Sequence, residues 1–181
     1  EQVRTTIAYN NANVKIIGAH SGISVGPDGG THQAIEDIAI MRVIPRMTVI
    51  APSDSLEAEK ATIALASHVG PAYMRIAKEK TPEITTPETP FVIGKAEIYL
   101  HRDTSLEKCV GIIATGAVLY QALVAARQLN EEGIGASVLH MATIKPLDEE
   151  TLLAFAREHS HIITVEEHQV AGGMGSAVAE I

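Results

Sequence analysis

Gly26-Pro27-Asp28-Gly29-Gly30-Thr31-His32-Gln33 packs three glycines, a proline, an acid and an imidazole into eight residues. The apolar run Val14–Ala19 leads into it through His20. The run Ala34 to Arg42 leads out, with Ile35, Ile38, Ala39 and Met41 on one helical face. A strand, a Gly-rich charged turn and a helix form the unit in which α/β proteins place chemistry. Thr31 is expected to cap the outgoing helix.

The same alternation continues on both sides. Residues 1–13 read as the end of a helix and a loop. Met47–Ala51 and Ala72–Ala77 read as strands, and the helix between them starts at Ser53 or Asp54, with Glu57 and Glu59 favoured by its dipole. Residues 78–90 hold three prolines and no apolar period, the composition of a linker. Beyond it, Lys95–Leu100 reads as an edge strand, and Val110–Thr115, Ala136–His140 and His161–Val165 as further strands. Thr143–Asp148 reads as a loop, with Asp148 capping the helix after it. Gly172-Gly173-Met174-Gly175-Ser176 opens a last helix. The fold class expected is α/β: two Rossmann-like modules with mainly parallel sheets, both incomplete. Their bounds are 1–80 and 95–181, with 81–94 between. The chain starts Glu1-Gln2 and reads as the middle of a longer sequence.

Composition narrows the function classes. A net charge of −8 argues against a basic nucleic-acid surface and against adhesion to anionic membrane. Hydrophobic residues make up 46% and aromatics 3%, so the core must be aliphatic. Val110–Ala126 runs 17 residues without charge. Its glycines and Gln121 favour strand, turn and helix over a membrane span. The single cysteine, Cys109, excludes an internal disulfide, suits a reducing cytoplasm and reads as a small buried hydrophobe.

Three groups of residues are chemical candidates. His20, Asp28 and His32 lie within 13 residues. Imidazoles pass protons near neutral pH, and a carboxylate can read a sugar hydroxyl. A purely structural turn is the alternative. Arg75 and Lys78 come at the end of a strand, where either can hold a phosphate or simply be solvated. Glu166-Glu167-His168 also ends a strand, and solvated or dimer-contact carboxylates are the plainer reading. Gly172–Gly175 can cradle an anion. No compact metal-ligand spacing, Walker A or G-x-S-x-G motif occurs.

The stretch Gly18-Ala19-His20-Ser21-Gly22-Ile23-Ser24-Val25-Gly26-Pro27-Asp28-Gly29-Gly30-Thr31-His32-Gln33 resembles the transketolase family. So do Glu36–Arg42, Ile44–Ile50, Pro52-Ser53-Asp54, Ala114-Thr115-Gly116, Thr143–Asp148 and Thr164–His168. The resemblance implies that residues 1–80 are the last part of a pyrimidine-binding domain and 95–181 a truncated C-terminal domain. It implies thiamine diphosphate and Mg²⁺ as cofactors, with their ligands mostly outside this chain and no metal ligand in it. The implied reaction moves a two-carbon ketol unit between sugar phosphates. His32 would be catalytic; His20, Asp28 and Arg75 or Lys78 would bind substrate, the family's phosphate-binding arginine falling at Lys78. The implied assembly is a homodimer, or a heteromer with a diphosphate-binding subunit. The rivals are a 1-deoxyxylulose-5-phosphate synthase-like enzyme and a non-catalytic fragment or subunit that needs a partner chain.

Overall fold

Short apolar runs alternating with helices build two four-stranded sheets, described for residues 1–181 in a computed structural model. The first sheet holds β1 (Lys15–Ser21), β2 (Thr48–Ile50) and β3 (Ala72–Ala77), with β3 in the middle and parallel to both neighbours. The second holds β4 (Glu97–Leu100), β5 (Cys109–Ala114) and β6 (Gly135–His140). Its β5 pairs in parallel with β6 on one side and with the last strand, His161–Val165, on the other. Helices α1 (Asp37–Arg42), α2 (Ser55–Ser67), α3 (Leu119–Glu131), α4 (Glu149–Arg157) and α5 (Met174–Ala179) connect and cover the strands.

The sheets are mainly parallel, as expected, with two antiparallel pairs. Strand β4 runs antiparallel to β6. The supposed loop 143–148 contains a seventh strand, β7 (Thr143–Lys145), antiparallel to β2. So a strand from beyond the linker completes the first sheet. Three residues are too short to show a period-2 pattern. What holds β7 is tertiary: Ile144 is buried, and Lys145 Nζ donates to the carbonyls of Arg42 at 2.7 Å and Ile44 at 2.6 Å. The strand His161–Val165 is β8, the far edge of the second sheet.

The core crosses the linker too. Ile38, Met47, Val49 and Tyr73 from the first half share one apolar cluster with Ile113, Leu139, Met141 and Phe155 from the second. The linker is strapped down rather than loose. Asp54, the N-cap of α2, accepts from the N–H groups of Glu57 (2.8 Å), Ile84 (2.7 Å) and Thr85 (2.7 Å). Lys60 Nζ donates to the carbonyls of Thr86 and Thr89.

Smaller expectations shift as well. A turn of π-helix occupies Val3–Ala8. The charge-free run resolves into β5 and α3, and no helix is long and apolar enough to cross a membrane. Cys109 is half-exposed at the start of β5, not buried. The backbone at Ser160 holds its thiol pKa below the ordinary value.

Candidate active site

Strand β1 ends in a bulge. Its register with β3 slips between Ala19 and Ser21, and the skipped residue, His20, has φ +62°. A left-handed conformation at a non-glycine residue is strained, and a bulge re-aims a side chain. The chain then makes two short 3₁₀ turns, Gly26–Asp28 and Gly30–His32. Gly22 N donates to Ala34 O at 2.8 Å and shuts the base of the loop.

Helix α1 begins at Asp37, three residues later than expected, and Thr31 does not cap it. The Ala34 and Ile35 carbonyls explain the delay. They accept from Gly22 N and Gln169 N, so they are not available to a helical ladder. The Thr31 hydroxyl lies instead 3.0 Å from His32 Nδ1.

Four of the five candidate side chains come together at this open edge. Lys78 Nζ pairs with Asp28 at 2.5 Å and donates to Val25 O at 3.1 Å. That hydrogen bond holds the Asp28 carboxyl below its ordinary pKa, and the Lys78, His32 and His20 charges act in the same direction. His20, Asp28 and His32 are exposed. The cluster is a small charged surface with two imidazoles, one carboxylate and one ammonium.

Arg75 is the fifth, and it faces inward. It is 6% exposed. Its Nε sits 3.2 Å from Asp37 Oδ2. Nη1 and Nη2 each donate to Glu167 O at 3.2 Å, and Nη2 also reaches Ala34 O at 3.4 Å. Every guanidinium nitrogen therefore has a protein acceptor. Geometry separates the two alternative cations: Lys78 faces the open cluster, while Arg75 holds the base of the loop.

The carboxylates after β8 are not simply solvated but are hydrogen-bonded within the chain. Glu166 accepts from the N–H groups of Met174 at 2.7 Å and Gly175 at 2.8 Å. The anion cradled by the Gly-rich turn is thus the chain's own carboxylate. A Cβ on Gly173 would lie 2.5 Å from it. Glu167 Oε2 accepts from the Ser24 hydroxyl at 3.2 Å, and His168 Nε2 accepts from Ala39 N at 3.3 Å.

One polar cluster escapes sequence reading. Glu57, read as a dipole partner on α2, is 3% exposed and paired with His140 Nε2 at 2.8 Å. The other ring nitrogen, Nδ1, donates to Ala114 O at 3.2 Å. Burial pushes the Glu57 carboxyl up; the His140 charge and hydrogen bond, with the Ser53 N–H and hydroxyl, bring it net below its ordinary pKa. Tyr99 stands edge-on to the His140 ring at 5.6 Å. These residues lie far apart in the chain, so no local motif announces them. The one available signal is a histidine that ends a strand of mainly small and apolar residues.

An open cleft of about 440 Å³ lies at the carboxyl ends of β2 and β3, lined by residues such as Pro52, Ser53, Ala77 and Lys80. His20, Asp28 and His32 do not line it. No three His, Cys, Asp or Glu side chains group so as to hold a metal ion. The groups present suit a hydroxylated, anionic molecule. They do not fit the diphosphate–Mg²⁺ end of thiamine diphosphate.

Comparison with known proteins gives a consistent result. Residues 1–83 match the model of the transketolase pyrimidine-binding domain, and 99–181 that of the transketolase C-terminal domain. A Methanocaldococcus jannaschii protein that carries the name of a transketolase C-terminal section is 43% identical over the whole chain. The 6-deoxy-6-sulfo-D-fructose transketolase subunit SqwH of a Clostridium species is 40% identical over 99% of it. The chain spans 55% and 54% of these two relatives, about half their length. A solved structure titled split gene transketolase, inactive beta4 tetramer, superposes with a TM-score of 0.89 at 40% identity, over 99% of this chain and 56% of that one. With both halves matched in order and the fold shared, the chain belongs to the transketolase family.

Proposed function

We propose that this chain forms the substrate-facing half of a thiamine diphosphate-dependent transketolase, which moves a two-carbon ketol unit from a ketose phosphate to an aldose phosphate. The observation that carries the proposal is the open cluster of His20, Asp28, His32 and Lys78, in a chain whose residues do not fit the cofactor's diphosphate end. The diphosphate and Mg²⁺ would be held by another domain or a partner subunit. The relative named a 6-deoxy-6-sulfo-D-fructose transketolase subunit supports a two-part enzyme.

Thiamine diphosphate supplies the carbanion chemistry when bound. The residues of this chain handle the sugar. His32 holds and moves a proton at the substrate hydroxyl beside the reacting carbon. Asp28 accepts a hydrogen bond from the neighbouring hydroxyl and so selects a stereochemistry. His20 contacts the phosphate, and Lys78 meets it as a point charge rather than a bidentate fork. The close Lys78–Asp28 pair is the resting arrangement, and a substrate bearing both phosphate and hydroxyl replaces each partner's contact with its own.

The test mixes the chain with a diphosphate-binding transketolase partner, thiamine diphosphate and Mg²⁺. Ketol transfer from xylulose 5-phosphate to ribose 5-phosphate is expected. Product only from pyruvate plus glyceraldehyde 3-phosphate would instead make it a 1-deoxyxylulose-5-phosphate synthase-like enzyme.

A further inference from the structure

We infer that Glu167 is a positioning residue for the loop carrying His20, Asp28 and His32, acting with Arg75, and that the second half of the chain is the brace of that loop. The inference rests on the proposed role of the loop.

The loop holds itself weakly. Its internal backbone bonds are Gly22 N to Ala34 O, Gly29 N to Gly26 O and His32 N to Gly29 O. Everything else that fixes its ends comes from outside. Glu167 Oε2 takes the Ser24 hydroxyl at 3.2 Å on the entering side. The Glu167 carbonyl takes both Nη groups of Arg75, whose Nη2 also reaches Ala34 O on the leaving side. Gln169 N donates to Ile35 O at 2.9 Å just beyond. Arg75 is buried, so its charge must be satisfied by fixed acceptors, and two of these are the loop's own exit and the Glu167 backbone.

Gly22 shows how close the contact is. Its φ is +81°, and a Cβ there would lie 2.4 Å from Glu167 Oε2. The loop backbone thus runs directly against the Glu167 carboxylate. Glu167 makes no hydrogen bond or ion pair with His20, Asp28, His32 or Lys78. Its influence on the site therefore passes through the loop backbone, at the two ends that set where the loop stands.

The experiment uses hydrogen exchange on the whole chain and kinetics on the reconstituted holoenzyme. E167A is expected to speed exchange at the Gly22, Gly29 and His32 amides about tenfold, with β5 and β6 amides unchanged. E167Q, whose amide oxygen can still accept from Ser24, is expected to restore protection. In the holoenzyme, E167A is expected to lower kcat/KM for the ketose about tenfold, and E167Q to restore it. S24A removes the same hydrogen bond from the loop side and serves if E167A fails to fold. Unchanged loop exchange in both variants, or faster exchange spread equally over β5 and β6, would overturn the inference. A wild-type holoenzyme inactive on ketose phosphates would overturn the proposed function and leave the exchange result readable.

Discussion

The loop around Asp28 and the junction around Glu57 both set a carboxylate against a basic side chain, and they do so in opposite surroundings. The Lys78–Asp28 pair is open to water, with side chains 27% and 38% exposed. The His140–Glu57 pair is sealed, at 1% and 5%. An exposed ion pair adds little stability and exchanges partners readily, as a substrate site requires. A buried pair gives up hydration on both sides, and once formed it is costly to break. Under the proposed function, the two pairs separate a region that meets a ligand from one that holds two halves together.

The largest effect should come at the loop. In the reconstituted enzyme, His32→Ala is expected to lower kcat by roughly 10²–10⁴, the range for a lost acid–base group. The melting temperature should not move, because the side chain is exposed. Unchanged kcat would reduce His32 to scaffold and dissolve the contrast.

At the junction the same kind of change should act on stability. His140→Ala strands the Glu57 carboxylate and should cost about 3–5 kcal/mol, read by urea unfolding. Glu57→Leu with His140→Leu should recover much of that loss, because both charges go together. A single His140→Ala variant as stable as wild type would show that the pair holds nothing.

The acid limb of stability sharpens the comparison. The folded pKa of Glu57 lies below its ordinary 4.5, so its contribution is present above that value and is lost as pH falls through the folded one. Asp54 and Asp148 are lowered in the same way: burial opposes ionisation, and hydrogen bonds from Thr85 and Ala96 respectively lead the groups that favour it. The part of the melting temperature that these carboxylates supply should be lost as pH falls below about 5. Glu57→Gln should flatten that drop, and an equally steep limb in the variant would contradict the assignment.

The smallest effect belongs to Asp28→Asn. It should leave the melting temperature unchanged and raise the ketose KM while weakening stereochemical preference. A loss of stability there would place Asp28 with the junction groups.

The elements and the loop could be read from the chain because their signals are local. Gly26–Gln33 concentrates polar types within eight residues, and the strand Ala72–Ala77 and the cap Asp54 follow from short patterns. What stayed hidden depends on distant partners. Strand β7 exists because Val49 and Ile50 offer it an edge. Glu166 faces inward because the Met174 and Gly175 N–H groups are waiting. Arg75 and Lys78 are equivalent as letters, and only the fold sends one inward and the other to Asp28.

Calorimetry on the isolated chain with thiamine diphosphate and Mg²⁺ tests most directly whether it holds only the substrate-facing half. No measurable heat of binding is expected until the diphosphate-binding partner is added. Tight binding by these 181 residues alone would contradict it.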